Sequence, residues 1–115
     1  MQKGTSLRQD GKLAEAEKEF DAAIKEYPAG LTSYLGRGQV RQLRKDYKGA
    51  IRDFSAYLAR VPNDWRARRL RMAARRSLAP PDTAGACADA RRLARESHRP
   101  ADAETAAYCK GQPGW

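Results

Sequence analysis

A spacing of 34 residues constrains this chain more than any other feature. Ala16, Phe20 and Pro28 recur as Ala50, Phe54 and Pro62, and Gly4 and Gly38 keep the same offset. A period of this length marks helical pairs that stack on one another, each burying a face against its neighbour. Arrays of that kind present extended surfaces rather than enclosed pockets.

The apolar pattern places the helices. Leu13, Ala16, Phe20, Ala23, Ile24 and Tyr27 share one face of a helix over 12–27, with Gly11 as a turn residue before it and Pro28 ending it. Tyr47, Ala50, Ile51, Phe54, Tyr57 and Leu58 repeat that face before Pro62. Between the two runs a partner helix over about 31–44 turns Tyr34, Leu35, Gly38 and Leu43 inward. Gly38 and Ala50 are small where two backbones approach closely, and a larger residue at either would wedge the pair apart.

These residues resemble the tetratricopeptide repeat family. Tyr34, Gly38, Ala50, Phe54 and Pro62 carry the aromatic, small, small, aromatic and proline positions of its pattern. Tyr57 stands where that pattern has a small residue, and Arg41 where it has an aromatic. Gly4, Ala16, Phe20, Ala23 and Pro28 supply a first copy whose leading helix is truncated. The resemblance implies one all-α domain over 1–115, a right-handed superhelical stack of antiparallel helix pairs. Its repeats fall at about 1–30, 31–64 and 65–98, followed by a capping helix at about 100–110.

The third copy is degenerate. Its first helix, about 64–78, is capped by Asn63 or Asp64 and carries Arg66, Arg68, Arg69, Arg71, Arg75 and Arg76. Its second starts at Asp82 or Thr83. A strict offset of 34 would bury Arg91 and Arg92. A two-residue insertion at Pro80 and Pro81 instead brings Ala86, Ala90 and Leu93 to the core. Pro100 opens the last helix, where Ala103, Ala106, Ala107 and Tyr108 close the end of the stack, as helical arrays require.

If the last two helices pack antiparallel about a turn near His98 and Arg99, Cys87 and Cys109 stand at equal height and are placed to bridge. Such a staple implies an oxidising compartment; two small, half-buried thiols in a reducing cytoplasm are the alternative. The start of the chain lacks the apolar stretch of a leader. A cytoplasmic location follows if Met1 is the true start, and a periplasmic or secreted one if a leader was removed and the bridge exists. No run approaches the roughly 20 apolar residues that cross a bilayer.

The formal charge of +9 is uneven: −1 over residues 1–28, then +5 over 29–62 and +5 over 63–115. That asymmetry favours acidic partners, although a GC-rich coding sequence would give the same arginine bias. No catalytic constellation, metal set or phosphate loop is present in the sequence. His98 is a helix-end residue, about 16 Å of helical rise from Cys87, and Gly36-Arg37-Gly38 lies within a helix. No enzyme activity, cofactor or metal is expected.

By the family resemblance, the first helix of each pair lines a concave surface: Thr5 and Arg8, then Thr32, Leu35, Gln39, Gln42 and Leu43, then Arg66, Arg69, Ala73 and Arg76. The partner-binding set drawn from these is Arg8, Leu35, Gln39, Gln42, Arg66, Arg69 and Arg76. Thr5, Gly36 and Leu70 depart from the family's carboxylate clamp, and only Arg66 matches it. Six arginines on one helix repel one another, and an anionic ligand would relieve that. The expected role is therefore a non-enzymatic scaffold that takes an acidic peptide or partner helix on a basic concave face. Nucleic-acid binding through the phosphate backbone ranks second, because Trp65 is the only aromatic beside those arginines. The truncated first helix leaves open a longer array, or pairing with another copy through the exposed neutral end.

Overall fold

The structure is a computed structural model that describes residues 2–115, with side chains from Gly11 onward. The described residues form six helices and no strand: α1 (Gln2–Glu26), α2 (Leu31–Leu43), α3 (Tyr47–Arg60), α4 (Trp65–Ser77), α5 (Thr83–Ser97) and α6 (Ala103–Cys109). Pro28 and Pro62 each lie two residues beyond a helix end, where their missing N–H groups cost no helical hydrogen bond.

The expected turn at Gly11 does not occur. Gly11 lies inside α1, and residues 2–30 therefore supply one helix where a helix pair was expected over 1–30. A glycine inside a helix costs about 1 kcal/mol relative to alanine, too little to break a 25-residue element.

Aspartates set the starts of α3 to α6, while α2 begins after Gly30 without a side-chain cap. Asp46 accepts from the Gly49 amide, Asp64 from Arg66 and Ala67, Asp82 from Gly85 and Asp102 from Thr105. Each cap satisfies amides that the first helical turn leaves open, a contribution of about 1 kcal/mol apiece. The last helix is thus shorter than expected. Asp102 starts it, and Pro100 and Ala101 lie outside it.

Consecutive helices pack against one another, and α2 also touches α4. Side-chain pairings show that neighbours run antiparallel. Arg37 meets Asp21 while Arg44 meets Glu17 across α1 and α2. Arg37 meets Asp53 while Arg41 approaches Asp46 across α2 and α3. Tyr57 meets Asp64 while Arg71 bonds Ser55 across α3 and α4. Arg68 meets Glu96 while Arg75 meets Asp82 across α4 and α5.

The core lies where α2, α3 and α4 converge. Ala50, Phe54 and Ala74 are fully buried there, with Leu35, Tyr47, Ile51 and Leu70 packed around them. Burying a phenylalanine of this kind contributes about 1.5–3 kcal/mol. A Cβ on Gly38 would lie 2.6 Å from the Phe54 ring, so the small residue is what admits the aromatic. Leu43 and Tyr27, expected inward, are 68% and 67% exposed. Leu43 is the last residue of α2, and Tyr27 already lies in the turn after α1.

Candidate functional site

The arginines of α4 do not form one repelling row. Arg71 bonds Asp89 twice, Nε to Oδ2 at 3.1 Å and Nη2 to Oδ1 at 2.6 Å, and Arg75 reaches the same carboxylate at 2.9 Å. Arg68, only 2% exposed, donates to Glu96 at 3.2 Å and to the Pro62 carbonyl at 2.7 Å. Burial pulls the pKa of its guanidinium down and neighbouring Arg92 adds to that, while Glu96 opposes it. Arg76 lies 4.1 Å over the Tyr108 ring and 3.7 Å from Glu104. The mutual repulsion expected of the six is therefore largely neutralised inside the protein, because carboxylates of α5 and α6 lie opposite them.

The same network occurs once before. Arg37 bonds Asp53 at 3.0 and 2.8 Å, and Arg41 bonds it at 3.1 Å. Asp53 and Asp89 are 2% and 3% exposed. Arg37 and Arg41 correspond to Arg71 and Arg75 at the offset of 34, whereas Asp53 corresponds to Asp89 at 36. The two-residue insertion at Pro80 and Pro81 accounts for the difference. Arg37 also bonds Asp21 on α1, as Arg71 bonds Ser55 on α3. Each of these arginines thus ties three successive helices together. Asp53 is the main cause that pushes the Arg37 pKa up. The sequence singled out Arg71 and Arg75 only as members of an arginine run and Arg41 only as a departure from the family pattern; Asp53 and Asp89 did not stand out, and the shared offset was the available signal for their pairing.

Two of the expected site residues remain as free cations. Arg66 and Arg69 are exposed, and no carboxylate among the described residues lies within 4 Å of either. Arg66 stacks over Trp65, its carbon 5.3 Å from the ring centre, and Trp65 is itself 49% exposed. Gln39 is exposed and Gln42 half-buried on α2, while Leu35 packs against the core. The side chain of Arg8, like that of Thr5, lies outside the described residues.

A groove of about 1010 Å³ opens between α4, α5 and the segment 98–105. Met72, Ala90, Leu93 and Ala94 line its apolar part, and Trp65, Arg69 and Arg99 its rim. Leu35, Gln39 and Gln42 do not line it. Sequence reasoning missed Met72 and Arg99, which periodicity does not distinguish from ordinary surface positions. A smaller hollow of about 360 Å³ lies between Lys48, Arg52 and Leu78.

The Cys87 and Cys109 sulfurs are at bonding distance, joining the start of α5 to the end of α6. Tyr108 and Thr83 share a hydrogen bond of 3.2 Å beside them. His98 closes α5 in the left-handed conformation, exposed at the turn, as its position in the sequence suggested. Asp102 is held below the usual carboxylate range, chiefly by the Thr105 amide it accepts from. No helix among the described residues is long and apolar enough to cross a membrane. No protein-family model matches the chain, and no curated protein or solved structure shows a significant match to it.

Proposed function

We propose that this chain is a non-enzymatic interaction module of the tetratricopeptide type that binds an acidic peptide or partner helix. The observation that carries the reading is the pair Arg66 and Arg69. Every other arginine of α4 meets a carboxylate, and these two face solvent beside an exposed tryptophan. Unpaired guanidiniums next to an aromatic suit carboxylate recognition, through bidentate hydrogen bonds and stacking. The antiparallel packing of consecutive helices and the twice-built arginine–aspartate network support a repeat architecture. The bonded cysteines support an oxidising compartment.

Fluorescence anisotropy with a labelled acidic peptide tests the reading. Binding should weaken about tenfold in Arg66→Glu or Arg69→Glu, the scale of one lost charge-assisted pair. No binding by acidic peptides at low salt would sink it. The second reading, phosphate contacts on nucleic acid, is favoured by the exposure of Trp65 beneath Arg66. A gel shift repeated at rising salt separates the two, since phosphate binding falls steeply with ionic strength.

A further inference from the structure

We propose that the groove along α4 seats a short acidic amphipathic helix of a partner protein, in line with α6. This rests on the acidic-partner reading above and assigns it a seat.

The groove exists because the third repeat has lost both volume and cover. At the offset of 36, Phe54 and Leu58 correspond to Ala90 and Ala94. Phe54 and Leu58 are large buried side chains, whereas Ala90, itself buried, and half-buried Ala94 line the groove with single methyl groups. Cover is lost as well. The second pair, α2 and α3, is followed by the 13-residue α4, about 20 Å long, and the third by the seven-residue α6, about 10 Å long. The Cys87–Cys109 bond and the Thr83–Tyr108 hydrogen bond hold α6 over the N-terminal part of α5. Leu93 and Ala94, with Trp65, Arg69 and Met72 of α4, are left open along a run of about 10 Å or two helical turns.

Charge selects the occupant. Arg69 and Arg99 line the groove with no carboxylate among the described residues within 4 Å. Of the acids on the same rim, Glu96 is balanced by Arg68 and Arg92; Asp102 caps α6 and keeps its negative charge, so Arg69 and Arg99 together still leave an excess of cations at the groove. A helix that sets apolar side chains at i and i+4 onto Met72 and Ala94, with Asp or Glu flanking them, meets both demands.

The probe is a 14-residue synthetic helical peptide with leucines at i, i+3, i+4 and i+7 and glutamates on both flanks. Its anisotropy titration should saturate, and Arg69→Glu should weaken it about tenfold. Ala90→Phe restores the residue of the second repeat and fills the groove; Ala94→Leu does so from a half-buried site that tolerates a larger side chain. Each should also weaken binding about tenfold with helicity retained, and Ala94→Leu should leave melting unchanged as well. If both filled variants bind like the parent while Arg66→Glu or Gln39→Glu abolishes binding, the seat is wrong and the acidic-partner reading survives. If no acidic peptide binds the parent protein, both fall. Equal binding of a glutamine-for-glutamate peptide overturns the acidic occupant. Self-association that Ala94→Leu abolishes assigns the groove to a second copy and overturns the partner helix.

Discussion

Arg71 and Asp89 face each other as a planar pair, two parallel hydrogen bonds of 3.1 and 2.6 Å joining guanidinium to carboxylate in a buried site. Arg75 binds the same carboxylate, and Ser55 takes the remaining reach of Arg71. The arrangement couples α3, α4 and α5 through one side chain. Arg37 and Asp53 do the same for α1, α2 and α3.

Removing one member of such a group leaves charge buried without a partner, which is costlier than the whole group is stabilising. Asp89→Ala and Asp53→Ala should each lower stability by about 3–5 kcal/mol in urea denaturation. Glu15→Ala, at an exposed site, should stay within about 0.5 kcal/mol. Equal effects at all three would refute the role of the network.

Gly38→Ala puts a methyl 2.6 Å from the Phe54 ring and 3.2 Å from the Asp53 Cβ. A destabilisation of about 1–3 kcal/mol is expected from overpacking. In a double-mutant cycle with Phe54→Leu, the two losses should be strongly non-additive, because the smaller side chain makes room. Additive losses would mean that the two residues do not press on each other.

Tyr57 donates to Asp64 at 2.7 Å, and Asp64 also caps α4. This bond pushes the Tyr57 pKa up and, with the capped amides, holds Asp64 below the usual carboxylate range. The Asp64 contribution is present above its unfolded pKa of about 3.9 and is lost as pH falls through the lower folded value. The Tyr57 contribution is present below about pH 10 and is lost as pH rises through the higher folded value. Tyr57→Phe should therefore cost about 1 kcal/mol near neutrality, a gap that narrows at both extremes in a pH series of melting curves. A gap independent of pH would rule out the ionic part of this bond.

Lys45 follows α2 with a φ of 66°, a conformation that strains any side chain with a Cβ. Lys45→Gly should raise stability by about 0.5–1 kcal/mol, the relieved strain outweighing the freer unfolded chain. Thermal melting of the two proteins checks this, and a loss of stability would contradict it.

Cys87 and Cys109 enclose a loop with a sequence separation of 22, and α6 makes few other contacts. Reduction by a dithiol should cost about 2–4 kcal/mol and release α6 before the remainder unfolds. Hydrogen exchange resolves the order: the Thr105 amide should lose protection well before that of Phe54. Simultaneous loss would mean that α6 is held by packing alone.

Much of the helical layout was legible in the residues. The recurrence of Phe20 and Phe54 located the apolar faces, the prolines located the ends, and the shift at Pro80 and Pro81 brought Ala86 and Ala90 to the core. Cys87 and Cys109 could be paired because an antiparallel turn sets residues of equal height side by side. Gly11 misled, since a glycine weakens a helix without having to end it. The arginines of α4 misled more. A run of cations on one helix looks unpaired until the helix facing it is in place.

Periodicity, turn residues and charge composition are local properties of the chain, and by themselves they determined α2 to α5 with their approximate bounds, the C-terminal ends of the first and last helices, and the basic character of the last two thirds. Which charges are free is not local. Asp89 pairs with Arg71 and Arg75 from 18 and 14 residues away, with Asp82 also beside Arg75, and Glu96 pairs with Arg68 from 28. Only the packing of α5 on α4 could separate those arginines from Arg66 and Arg69. The shortness of α6 then left the groove beside Arg69 open, because a seven-residue helix cannot cover its neighbour's full length.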